Sequence, residues 1–216
     1  MKSILKSKSL QIAEVRGIPI LIHWTFGLFI LFILFSAFNT QSSIHDAFWF
    51  VVFVIILFGF VVLHELGHAM AALKYNIKTK DIIISPIGGI ARLYSIPKNP
   101  GHELVVALCG PLVNVVLAIC LFLFLIPFTS QLLPQNIKTM NLINAPIDYV
   151  RFLFIVNVSL VVFNMIPAFP MDGGRVFRAL LSYKLSRKKA TYIAMIVARI
   201  LALAFMVFGM YNTLPM

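Results

Sequence analysis

The chain has 216 residues, 61% of them hydrophobic and 12% charged, a balance that excludes an ordinary soluble domain and points to an integral membrane protein. A formal net charge of +11 would suggest nucleic acid in a soluble chain. Here the basic residues fall in the short segments between apolar runs, where they report membrane topology, so no nucleic-acid partner is expected and the bilayer is.

The N-terminal stretch MKSILKSKSLQIAEVRG is basic, and no small-residue cleavage site follows the next apolar run; it is not a removable signal peptide and should stay cytosolic. Five apolar runs, 20–39, 47–73, 103–127, 147–166 and 190–212, are long enough to cross a hydrocarbon core of about 30 Å, which takes roughly 20 helical residues. In the second run, Trp49 is an interfacial anchor, and His64 lies about 22 Å further along, in the cytosolic third. The third run carries Cys109 and Cys120, about 16 Å apart on one helix and too far for a disulfide. After the fourth, PAFPMDGG interrupts the helix, and a shorter stretch, 173–185, continues beyond the break. Arg199, inside the last run, is given no role.

These runs predict an all-α polytopic membrane protein with about five to six transmembrane helices, as a single domain over 1–216. Lysine and arginine placement orients it. The N-terminal tail, segment 74–102 and segment 175–189 hold the basic clusters and should face the cytosol, whereas the loops around 40–46 and 128–148, with only Lys138, should face outward.

The second run contains LHELGHA at 63–69. Positions i and i+4 share a helix face, so His64 and His68 can aim at one cation with Glu65 beside them. Catalytic zinc usually takes three protein ligands and leaves a fourth position for water, so a third ligand is needed at similar depth. Glu14, Asp46, Asp81, Glu103 and Asp148 lie in tails, loops or helix ends, which leaves Asp172 in the proline-broken NMIPAFPMDGGR. An N-cap of the following helix is the other reading of Asp172. His102 and Glu103 begin a second HEL, but Val106 stands where the second histidine would be; helix-start polarity accounts for that pair.

HELGH at 64–68 with NMIPAFPMDGG at 164–174, supported by GIPILIHWTF at 17–26, SPIGGIARL at 85–93 and CGPLVN at 109–114, resembles the site-2 protease family of intramembrane zinc metalloproteases. The resemblance implies one zinc ion held by His64, His68 and Asp172, Glu65 as general base, and Asn164 facing the site. Structural roles are expected for Asn114 and His23. Family members with regulatory modules carry PDZ or CBS domains, which this sequence does not show, and many have one more membrane helix; the chain is expected to be either a minimal member or one that lacks a last helix.

The resemblance implies cleavage of a peptide bond within or near a transmembrane segment of a single-span membrane protein, in a bacterial cell membrane with the active-site side cytosolic. Substrates of such enzymes include tethered transcription factors, sigma or anti-sigma factors and signal-peptide remnants. A substrate helix hides its backbone, so it must be unwound and held. The isoleucine-rich TKDIIISPIGGIARL at 79–93 suggests a short β-hairpin or re-entrant segment near the cytosolic face to which a peptide can add as a strand, making Gly88, Gly89 and Ile90 candidate substrate contacts. The alternative is a membrane metal-ion transporter or metal-binding membrane protein. A transporter would have no need of Glu65 as a base and would spread its ligands along a path, whereas these converge at one depth.

Overall fold

A computed structural model describes residues 9–39, 44–131 and 146–213. Lys2, Lys6, Lys8 and Lys138, with most of the 128–148 connection, lie outside them. Strands β1 (Ser9–Val15) and β2 (Ile18–His23) lead into helix α1 (Trp24–Asn39); α2 (Ile44–Lys74) is followed by β3 (Thr79–Ser85) and β4 (Gly88–Leu93). Helices α3 (Pro100–Leu125), α4 (Pro146–Asn164), α5 (Asp172–Leu181) and α6 (Arg187–Thr213) complete the order.

Among the described residues, four helical segments are long and apolar enough to cross a membrane: Ala47–Lys74, Pro100–Phe128, Ile147–Asn164 and Arg187–Tyr211. Much of their apolar surface faces outward. Leu203, Phe205, Val207 and Phe208 of α6 are each more than half exposed, a surface that suits lipid and not water. The run expected as a helix over 20–39 divides instead. Its first residues belong to β2, and α1 has 16 residues, about 24 Å of helix.

The expected hairpin over 79–93 is present as β3 and β4, but within a four-stranded sheet of order β1-β2-β3-β4. The architecture is therefore mostly helical with a small sheet. β1 and β2 join through Arg16 and Gly17, both at positive φ (50° and 79°), as a tight two-residue hairpin turn demands. β2 then pairs parallel with β3, Ile20 opposite Ile82 and Ile22 opposite Ile84, after the chain has run out along α1 and back along α2. Ile82, Ile83 and Ile84 are all buried. Three consecutive buried residues mean that both faces of β3 are covered, and α1 and α2 contribute Phe26, Ile33, Phe53 and Ala69 to the same core.

Two carboxylates set aside in the sequence as loop or helix-end groups prove to be buried. Asp81 lies on β3, fully buried, and receives both Nε and Nη2 of Arg92 on β4; these hydrogen bonds push the Arg92 guanidinium further up from its ordinary value. Glu103, in the first turn of α3, is 2% exposed and accepts hydrogen bonds from Arg178 of α5 and Arg187 of α6. Arg187 also donates to the Pro97 carbonyl at 2.8 Å. One buried carboxylate thus ties three helices together at one end of the bundle.

Removing one partner of a buried ion pair strands the other charge and costs about 3–5 kcal/mol. Glu103→Ala should lower the thermal unfolding temperature in detergent markedly. Arg178→Met should be more harmful than Arg187→Met, because the Arg178 side chain is 12% exposed and that of Arg187 38%. Equal melting points for the two arginine variants would show that burial does not rank these pairs.

Candidate active site

His64 and His68 stand one turn apart on α2, and Asp172 reaches them as the first residue of α5. All three are buried, at 6%, 3% and 8% exposure. Met171, not Asp172, occupies the N-cap position, and no side chain caps that helix. The Asp172 carboxylate instead lies 3.2 Å from His64 Nε2 and 3.0 Å from His68 Nε2, through Oδ2, and the two Nε2 atoms are 3.1 Å apart.

This donor set fits a metal ion. Ligand atoms about 2.0–2.1 Å from a tetrahedral zinc lie roughly 3.3 Å from each other, close to the separations found. His68 Nδ1 is 2.7 Å from the Val106 carbonyl. A carbonyl only accepts, so Nδ1 carries the proton and Nε2 keeps its lone pair for a cation, the orientation that an outer partner imposes on a ligating histidine. Among the described residues, His64, His68 and Asp172 are the group of three whose ligand atoms converge in this way. Asp172 is the anionic member of this set. Arg175 Nη1 adds a positive charge 3.5 Å from its Oδ1.

Close backbone packing sets these positions. A Cβ on Gly110 would fall 2.1 Å from His68 Nε2, and one on Gly67 2.6 Å from the Cys109 carbonyl, so α2 and α3 approach only because both residues are glycine. At α5, a Cβ on Gly173 would meet the Ile166 carbonyl at 2.3 Å, and one on Gly174 the Ala168 carbonyl carbon at 2.7 Å. The two glycines after Asp172 let the helix start directly against the turn that follows Asn164.

Glu65 is held at the rim: its Oε2 accepts from the Ala91 N–H of β4 at 3.0 Å. With His64 and Asp172 it lines a cavity of about 260 Å³, shared with Gly88, Gly89, Asn114 and Asn164. Ile90 is next to that lining on β4 but outside it. His23 is elsewhere, 2.7 Å from the Thr25 hydroxyl. Sequence reasoning assigned Asn114 to packing, whereas the residue forms part of the cavity wall. The available signal was its spacing: Asn114 is one turn after Gly110, the residue that touches His68.

Apolar membrane-length helices enclosing a histidine, histidine and aspartate cluster, with an HExxH glutamate in the same cavity, define a membrane protein with a metallopeptidase-type centre. The model of Peptidase family M50 matches residues 52–146 and 133–207. Zinc metalloprotease MJ0392 of Methanocaldococcus jannaschii is 41% identical over 204 residues, 94% of this chain and 55% of that protein. Stage IV sporulation protein FB of Bacillus subtilis is 28% identical over 131 residues, 60% of this chain and 40% of that protein. The solved site-2 protease from Methanocaldococcus jannaschii superimposes with a TM-score of 0.62 at 38% identity, covering 94% of this chain and 86% of that one. The chain belongs to peptidase family M50. It spans about half the length of the curated relatives it matches.

Gly110→Ala gives a sharp test of the packing. With its methyl carbon 2.1 Å from His68 Nε2, the variant should fold but lose most of its zinc, read as metal content after purification. A Gly110→Ala protein with full zinc would mean that the two helices separate at little cost.

Proposed function

We propose that the protein is an intramembrane zinc endopeptidase that hydrolyses a peptide bond within or near the membrane-spanning segment of a single-span membrane protein. The observation that carries this reading is the convergence of three buried ligand atoms, from His64, His68 and Asp172, beside a cavity that His64, Asp172 and Glu65 line. When bound, zinc supplies Lewis acidity, lowering the pKa of water toward about 7 and polarising a carbonyl.

The chain's own residues do the rest. Val106 fixes the ring of His68, and Asp172 keeps its charge between the two imidazoles. Glu65 accepts the proton of the attacking water on its carboxylate and returns it to the leaving amine. Its tether to Ala91 N–H is a bond that substrate binding can exchange. Asn164, in the cavity wall, is placed to help hold the substrate carbonyl. β4 is the outer strand of the sheet; because Ala91 turns its N–H outward to Glu65, the period of two turns the backbone groups of Gly89 outward as well, so a substrate strand can add at this edge.

The sheet and the ion pairs support the expected topology. β2 and β3 are paired neighbours, so the start of α1 and the segment after α2 both lie at the sheet's end of the bundle, which supports five crossings with α1 among them. Arg187, bonded to Pro97 and Glu103, brings segment 175–189 to that end too. The basic segments therefore gather together, and their charge favours the cytosol. The whole of 1–216 would act as one membrane domain. A cysteine introduced at Ser95 should react with an impermeant reagent only after cells are opened, and labelling of intact cells would reverse the orientation.

Glu65→Gln separates protease from transporter. The amide keeps size and hydrogen bonding but cannot take a proton, so zinc content should stay at the wild-type level while proteolysis fails. Membranes containing the variant should accumulate an uncleaved single-span protein that co-purifies with it and that wild-type protein cuts in detergent unless a chelator is added. Retained proteolysis by Glu65→Gln, or metal flux into vesicles without cleavage by the wild type, would overturn the reading.

A further inference from the structure

We infer that Asn114 is a substrate-binding residue, whose side-chain amide pairs with the backbone of an unwound stretch of polypeptide on the flank of the cavity away from β4. The inference rests on the protease reading above and adds a second grip on the peptide. Asn114 is 1% exposed on α3 and lines the cavity with His64, Glu65, Gly89 and Asn164. Neither Nδ2 nor Oδ1 of its side chain has a hydrogen-bond partner among the described residues. Asn157 of α4 is close, but its Nδ2 is used on the Asn114 backbone carbonyl, at 2.6 Å.

A buried amide with neither end paired destabilises a fold, and an apolar side chain of similar size at position 114 would remove that cost. What the amide offers is a donor and an acceptor side by side. That is the complement of the C=O and N–H that one residue of an extended chain turns to the same side. A helical residue has already used both groups within its own helix, so a substrate must be unwound to pair with Asn114 through its backbone.

The geometry around α2 allows both flanks to be gripped at once. At about 100° per residue, Gly67, where α3 touches, lies roughly 160° around the helix from Glu65, which touches β4. His64 and His68 fall in the arc between them. A peptide laid across the metal face therefore has the β4 edge on one side and α3 on the other, and an extended chain presents hydrogen-bonding groups alternately to its two sides.

The test uses the full chain in detergent with a tagged single-span model peptide, a leucine and alanine segment interrupted by Gly-Pro and flanked by lysines. Each residue of the peptide is N-methylated in turn to delete one backbone N–H. Asn114→Ala should keep the wild-type zinc content and melt no lower than wild type, yet lose about tenfold or more in kcat/KM. At one position of the peptide, N-methylation should slow the wild type by a similar factor and slow Asn114→Ala no further, the non-additivity expected of two groups in one contact. Asn114→Ser gives the same comparison should the alanine variant fail to accumulate. Equal cleavage by wild type and variant, N-methyl effects that are the same for both at every position, or activity lost together with zinc or melting temperature would overturn the inference alone. A wild-type protein that holds zinc and cuts no peptide would overturn the protease reading as well.

Discussion

An imidazole or a carboxylate removed from water must find a partner or give up its charge, and in this bundle His64, His68 and Asp172 find one another. One aspartate oxygen stands 3.2 and 3.0 Å from the two imidazole Nε2 atoms, a convergence of lone pairs that a bound cation would satisfy, and one imidazole is fixed from behind by the Val106 carbonyl. Each group is tolerable only in the company of the others. Chain segments more than a hundred residues apart must therefore meet within a few tenths of an ångström, and the local features nearby are those that permit this meeting. Gly67 and Gly110 let α2 and α3 touch, and Gly173 and Gly174 let α5 begin against irregular backbone. The turn between α4 and α5 keeps Asp172 from being carried past the histidines on a continuous helix.

The second layer of support is ionic and lies at the same end of the bundle. Glu103 gathers Arg178 and Arg187, so α5 is anchored to α3 two turns beyond the residue it delivers to the site. Arg178 also sits 5.1 Å from the ring centroid of Phe169, in the turn that leads to Asp172. A displacement of α5 would have to break these contacts before it moved the carboxylate. The placement of Asp172 is thus held from both sides, by ligand-like contacts in front and by a buried carboxylate behind.

What the sequence reveals follows from how local each signal is. The HExxH pair is legible because i and i+4 must share a helix face, and Asp172 because two prolines and two glycines in an apolar run demand a reason. The hairpin over 79–93 announces itself through isoleucines around Gly88 and Gly89. The first sheet strands do not: residues 18–23 are as apolar as the helix they precede, and a short buried strand cannot be told from a helix by periodicity. Glu103 looks like an ordinary first-turn acid, since its arginine partners are 75 and 84 residues away. Asn114 has the appearance of any lone asparagine bridging two helices, and only the fold places its amide in the cavity while Asn157 bonds its backbone.

Under the proposed function, the small sheet answers a problem that a purely helical protein could not solve. A membrane-spanning substrate keeps its backbone hydrogen bonds to itself, and exposing one peptide unit inside an apolar bundle would leave its groups unpaired. An outer strand beside the proposed zinc ligands supplies donors and acceptors in the spacing an extended peptide needs, and an unpartnered asparagine on the facing helix supplies another pair. On that reading, unwinding a substrate from its terminus inward is least costly on the side of the basic segments, where water can satisfy the released groups. Under the proposed function, the depth of His64 along α2 is then a compromise. Nearer the middle of the bilayer the unwound peptide would lose that water, whereas beyond the apolar end the cavity could no longer exclude it from the ligand set.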